Sequence, residues 1–129
     1  MSSPVELTAD NRDDAFGEYT SRYILSEIGN KPSVFITVKS ASFFRVSQYQ
    51  KNAGSLDQKK QLREVCELIA DSVIDSRGNR IWNAEDVHKM TENSSTKRFM
   101  ELQNAVIEHN GLSGGSGPVE KMVDEELGN

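Results

Sequence analysis

The sequence predicts a mainly α fold, a small helical domain with an N-terminal β-hairpin and flexible acidic termini. Three observations predict it. Leu62, Val65, Cys66, Ile69 and Val73 fall at offsets 0, 3, 4, 7 and 11, one face of a 3.6-residue period. Phe99, Leu102 and Val106 mark a second apolar helix face that closes on Asn110-Gly111-Leu112. Between turn residues and the first helix lies a β-branched run, Val34-Phe-Ile-Thr-Val38, which favours a pleated strand over a helix.

In chain order, residues 1–21 read as an acidic arm. Glu6, Asp10, Asp13, Asp14 and Glu18 face the single cation Arg12, and the apolar residues follow no helical or strand period. Residues 22–112 then form one domain. Tyr23-Ile-Leu25 and Val34–Val38 are the two arms of a hairpin, joined through Gly29-Asn-Lys-Pro32, where Gly tolerates positive φ and Pro cannot donate to a ladder. An isolated hairpin is marginal in water, so it needs the helices or a partner's strand beside it.

Ser40 or Ser42 caps a helix to about Ala53, stopped by Gly54, with Phe43, Phe44, Val46 and Tyr49 as its apolar set. The Leu62 helix begins after Ser55 and runs to about Asp75, with Leu68 and Ile74 widening its stripe. Gly78 fits a turn, after which Ile81 and Trp82 re-enter the core. Asn83 caps a short helix to Met90, with Glu85 and Asp86 suited to its first turn. The last main helix starts near Asn93–Ser95 and buries Phe99, Leu102, Val106, Met100 and Ile107. It ends on Gly111, with Leu112 folding back. Residues 113–118 read as a Gly/Ser linker. Val119, Met122, Val123 and Leu127 then recur at 0, 3, 4 and 8 among acids, a short amphipathic acidic helix too short to stand alone.

The totals narrow the function. A 129-residue chain fits one domain. A net charge of −5 and a pI near 5.0 argue against nucleic-acid binding, which calls for a basic footprint. Cys66 is the only cysteine, so neither an intrachain disulfide nor a thiolate cluster forms. No signal-like or spanning apolar run is present, which predicts a cytoplasmic protein that avoids membranes.

Catalytic chemistry is sparse. His88, near Glu85 and Asp86, reads as a solvent-facing histidine before it reads as a metal ligand. His109 sits where a partly charged imidazole suits a helix C-terminus, and Cys66 lies on an apolar stripe without an activating neighbour. Asp71, Asp75 and Gly78 lack the repeated acids of a calcium loop, and Glu64, Glu67 and Asp71 read as a solvated helix face. Trp82 reads as a core anchor or as a binding hot spot. The chain is therefore expected to bind rather than catalyse, with no cofactor and no metal. Partner contacts are expected at the hairpin edge, through Val34, Ile36 and Val38, and at the acidic tail, through Val119, Met122, Val123 and Leu127.

One family resemblance sharpens this. Val34–Lys39 is followed by Ser40-Ala-Ser-Phe, then Leu68-Ile-Ala-Asp-Ser-Val-Ile-Asp-Ser-Arg-Gly78, Ile81-Trp-Asn-Ala-Glu-Asp-Val87 and Ala105-Val-Ile-Glu-His-Asn-Gly-Leu-Ser113. This order, over roughly residues 34–128, resembles the tail assembly chaperones of long-tailed, lambda-like bacteriophages. The resemblance implies a small helical protein of the host-cell cytoplasm, absent from the finished virion. It implies that the protein binds and solubilises the tape measure protein and yields to the major tail tube protein, which a frameshift-extended form recruits. It carries over no catalytic residue. Covering a long rod also suits head-to-tail homo-oligomers better than closed ones. The rival expectation is a small cytoplasmic adaptor that binds one acceptor through its terminal segment.

Overall fold

The computed structural model describes residues 3–112, 117 and 119–122. Among them the fold is mixed α/β, with α1 Arg12–Phe16, β1 Thr20–Leu25, β2 Val34–Lys39, α2 Phe43–Ala53, α3 Gln58–Ser72, β3 Val73–Ile74, α4 Ala84–Asn93, α5 Thr96–His109 and β4 Glu120–Lys121. The strands form one antiparallel sheet in the order β3-β2-β1-β4. The mainly α expectation is thereby corrected: the hairpin is present, but it is the centre of a four-stranded sheet.

The two added strands explain the difference. Val73 and Ile74 were expected to continue α3. Both are β-branched and stiff at χ1, which weakens their hold on a helix end. They leave α3 as a strand, with Val73 opposite Val38 and Ile74 opposite Thr37. At the other edge Glu120 pairs with Ile24 and Lys121 with Tyr23, and the Met122 N–H donates to the Arg22 carbonyl at 2.8 Å. Within the amphipathic helix expected from Val119 onward, Glu120 and Lys121 are instead strand. Pairing with β1 outweighs a propensity too weak to nucleate alone. Val123 and Leu127 lie outside the described residues.

Hairpin register places Tyr23 opposite Ile36 and Ser21 opposite Val38. This inner face packs on the helices, and Tyr23, Val38, Leu68, Val73, Val87, Leu102 and Val106 form its buried centre. At about 1.5–3 kcal/mol per large side chain, each such residue contributes a substantial share of stability. On the outer face the Arg22 guanidinium lies 5.8 Å from the Phe35 ring centroid, a cation–π contact on a half-covered surface.

Side-chain caps form at α2, α3 and α4, whereas the cap expected for α5 among Asn93–Ser95 is not made: Ser95 precedes the helix without a side-chain cap bond. Ser42 accepts from the Arg45 N–H, Asp57 caps α3, and Asn83 with Asp86 forms a reciprocal capping box. At the end of α5, Gly111 has φ +68. Its N–H reaches the Glu108 carbonyl, and the Leu112 N–H reaches that of Ile107. This is the paired bonding of a Schellman motif. The acidic arm holds α1, which buries nothing, and its last two residues, Thr20 and Ser21, already belong to β1.

Three side-chain expectations change. Phe43 and Phe44 stay exposed, because α2 turns Val46 and Tyr49 toward the core and leaves both phenylalanines in its first turn. Ile81 is exposed rather than re-entering the core, while Trp82 does pack against it. Met100 also faces outward.

Candidate functional site

The loop between β1 and β2 defines the site. The Ile28 N–H donates to the Lys31 carbonyl at 3.1 Å and the Lys31 N–H to the Ile28 carbonyl at 2.8 Å. Gly29 supplies φ +56 at the first central position of this tight turn, a conformation that side chains disfavour. Helix α5 pins the loop from below. The Arg98 Nε donates to the Ser26 carbonyl at 3.2 Å, and its guanidinium also reaches the Pro32 carbonyl. Glu101 accepts from the Ser26 N–H at 3.1 Å and from the Ser26 hydroxyl. Both long side chains are thus held by backbone groups, at a typical 1.5–3 kcal/mol per charge-assisted bond before solvent exposure reduces it.

Between this loop, the start of β2 and the α4–α5 junction runs a groove of about 650 Å³. Leu25, Ile36 and Leu102 form a buried floor. Trp82, Met90 and Phe99, partly buried, make the far wall. Val34, Phe35 and Ile81 are 44%, 54% and 47% exposed on the rim, so apolar surface meets solvent here as a continuous patch rather than as scattered side chains. Strand β3 pairs only with Thr37 and Val38. The outer edge of Val34–Ile36 therefore has no strand neighbour among the described residues, and an open strand edge beside apolar walls is suited to receive a peptide. The charged residues lining the groove are Lys31 and Arg98.

The seven residues expected to touch partners divide by position. Val34 and Ile36 line the groove. Val38 is fully buried opposite Val73, inside the core. Val119 packs partly against the chain's own core, and Met122 is tied by its N–H to β1. Val123 and Leu127 are outside the described residues. Sequence reasoning did not gather Phe35, Ile81, Met90 and Phe99 into one surface, because they come from β2, the loop before α4, α4 and α5. Trp82 packs against the core, the first of the two roles weighed for it, and also lines the groove.

The titratable residues serve packing. Burial, helped by Glu67, pushes the Cys66 thiol up to about 11, which favours its protonated form. Burial, with Glu108 beside it, pushes the Tyr23 hydroxyl up to about 12. His109 departs from expectation. Burial lowers its pKa, Lys121 lowers it further, and a hydrogen bond with the Tyr19 backbone opposes both. Desolvation outweighs the helix terminus, and the ring is neutral near pH 7. Its ring lies tilted at 46° to that of Tyr19 with centroids 4.7 Å apart, and Ser40 Oγ is 3.4 Å from Nε2.

The acidic face of α3 is paired rather than solvated. Arg45 binds Asp71 at 2.8 Å, with Glu64 at 3.6 Å and Glu67 at 3.5 Å, and Arg80 takes the other Asp71 oxygen at 2.8 Å. Asp75 accepts from the Arg77 and Asn79 N–H groups, so its carboxylate closes a turn. His88 is solvent-facing on α4. Among the described residues no three His, Cys, Asp or Glu side chains converge as a metal site, and no helix is long and apolar enough to cross a membrane. The surface that stands out chemically is the apolar groove. No protein-family model, curated protein or solved structure matches the chain.

Proposed function

We propose that the protein is a phage tail assembly chaperone, which binds and solubilises a tape measure protein by covering its apolar segments. The observation that carries this reading is the groove, an apolar trough with a pinned loop on one side and an open strand edge along its rim. Such a surface takes an amphipathic segment in the way that groove-binding domains do. Met90 in its wall adds an adaptable contact suited to varied partners. The chain's net charge of −5 keeps a complex with an apolar rod in solution. The order of motifs along residues 34–128 adds the phage assignment, with the tube protein as the partner that later displaces the chaperone.

Co-expression with the tape measure protein encoded beside it tests the reading. Soluble tape measure protein should rise several-fold and co-purify, and Phe35→Glu with Ile81→Glu should abolish both effects. Unchanged solubility together with no co-purification rejects the proposal. The adaptor reading places binding in the terminal segment. It is favoured instead if removing residues 113–129 ends all partner binding while the groove variants bind normally.

A further inference from the structure

Away from the groove, a second trough of about 630 Å³ lies between α3 and α4. Leu62, Cys66 and Ala84 form its apolar floor and belong to the core or pack against it. Lys59 and Arg63 of α3 and Lys89 of α4 stand exposed along its rim. The two carboxylates in the lining are already engaged, Glu67 with Arg45 at 3.5 Å and Glu85 with Lys89 at 3.9 Å. Lys59 and Arg63 meet no carboxylate within ion-pair distance among the described residues. An acidic protein thus presents two uncompensated cations over an apolar floor. The fold itself does not call for them. Lys59 is the second residue of α3, whose first turn holds no acid, although the helix dipole favours acids there. Lys59 and Arg63 are also four residues apart, a like-charged pair that weakens a helix. Locally unfavourable choices of this kind are expected at functional sites.

We propose that this trough docks an acidic amphipathic helix of a partner protein, with apolar residues on Leu62, Cys66 and Ala84 and carboxylates on Lys59 and Arg63. Charge and shape choose this occupant together. The unpaired cations call for an anion, and the apolar floor calls for an apolar face, which a free phosphate or other small polar anion lacks. From Lys59 to Glu67 the lining runs along α3 for ~12 Å, about two turns of a helix. A helix laid between two others fills such a space through residues at its own three- and four-residue spacing. On α3 the cations come first and Glu67 comes last, so the carboxylates of the occupant belong at one end of the contact. The trough and the groove share no lining residue, and α4 contributes to both, so an acidic helix and an apolar segment can be held at once. The contact does not rest on the chaperone reading and can be tested without any phage protein.

The probes are two short synthetic amphipathic peptides, one of Leu and Glu and one of Leu and Lys, added to the full chain. Amide resonances are followed by NMR, and Cys66, the only cysteine, reports coverage of the trough through its reaction with a thiol reagent. The Leu/Glu peptide should shift residues 58–67 and 84–89 and slow the Cys66 reaction, with an affinity that falls as salt rises. The Leu/Lys peptide should do neither. Lys59→Glu should bind the Leu/Glu peptide about fivefold more weakly, as expected when an exposed ion pair is reversed. The same variant should unfold at a higher urea concentration than the parent, because it gains the dipole and a pair with Arg63. A residue kept only for the fold would not show that opposition. Lys60→Glu lies in the same turn but outside the lining and should bind normally. Equal binding of the two peptides overturns the proposal, as does Leu/Glu binding that Lys59→Glu leaves intact. Shifts confined to the groove lining and abolished by Phe35→Glu with Ile81→Glu would place acidic segments in the groove and overturn it as well. Binding to phosphatidylglycerol vesicles but not to the Leu/Glu peptide would replace the partner helix with a lipid surface, and so reject the proposed occupant.

Discussion

The two ends of β2 carry the same kind of residue and meet opposite fates. Val34, Ile36 and Val38 alternate along one face, with exposures of 44%, 6% and 0%. At the Val38 end, β3 covers the strand edge. Nearby, the Asn110 side chain accepts from the Ala41 N–H at 2.9 Å and donates to the Ser72 hydroxyl at 3.3 Å, tying α5 to α3 and to the segment after β2. At the Val34 end no strand among the described residues pairs with the outer edge, and the groove begins. β-branched identity therefore makes the strand, while the neighbours decide whether a given position is core or docking surface. Two residues leaving α3 early, Val73 and Ile74, set that boundary.

The largest effect should come from placing the same charge at both ends. Val38→Asp buries a carboxylate without a partner and should cost more than about 4 kcal/mol, enough to unfold most of a domain whose total stability is of order 5–15 kcal/mol. Val34→Asp, at a rim already open to water, should change stability by less than about 0.5 kcal/mol while impairing groove binding. Urea unfolding followed by circular dichroism measures both. Similar losses at the two positions would mean that the Val34 end is closed in solution.

Next in size are the polar latches. Arg98→Ala removes the bonds to Ser26 and Pro32 and should cost about 1–2 kcal/mol, the lower part of the range for charged donors because the site is partly exposed. Hydrogen exchange should quicken in residues 26–33 and little elsewhere. Asn110→Ala should cost about 1–2 kcal/mol, with faster exchange spread across α5 and α3. If Arg98→Ala loosens the whole molecule instead, the loop is part of the core and the groove wall is not an independent feature.

These contrasts show what was legible in the sequence. The α3 stripe, the Asn83 cap, the Gly111 stop and the hairpin could be read because each is set by residues within about one or two helical turns or by local turn chemistry. The strands at Val73–Ile74 and Glu120–Lys121 could not. Each is two residues long and exists only because β1 and β2 offer edges to pair with, which is tertiary context overriding local pattern. The exposure of Phe43 and Phe44 was hidden for the same reason, since a helix's apolar residues do not reveal which of them its neighbour will reach. Of the residues lining the groove, Val34 and Ile36 were named from strand chemistry, as edge contacts. Its other wall, from Trp82, Met90 and Phe99, is assembled across elements far apart in the chain.

The smallest effect belongs to the sealed end and depends on pH. His109 lies beside Tyr19, Ser40 and Lys121, and burial first, with Lys121 adding to it, holds its pKa below the ordinary 6.5. The unfolded chain therefore takes up this proton at a higher pH than the folded chain. Between those two pKa values the unfolded state binds more protons, so stability rises with pH there. The contribution is complete above about pH 7, declines as pH falls below about 6.5, and levels off once pH drops below the folded value. Other groups titrate in the same window, so the informative quantity is the difference between the parent and His109→Gln. Stability of the parent should fall more steeply from pH 7 to pH 5 than that of the variant. Among the described residues the groove lining holds no histidine, and exchange in residues 26–33 should not follow this difference. Parallel pH slopes in parent and variant would show that His109 is not desolvated, and that the Val38 end of the sheet is less sealed than its burial indicates.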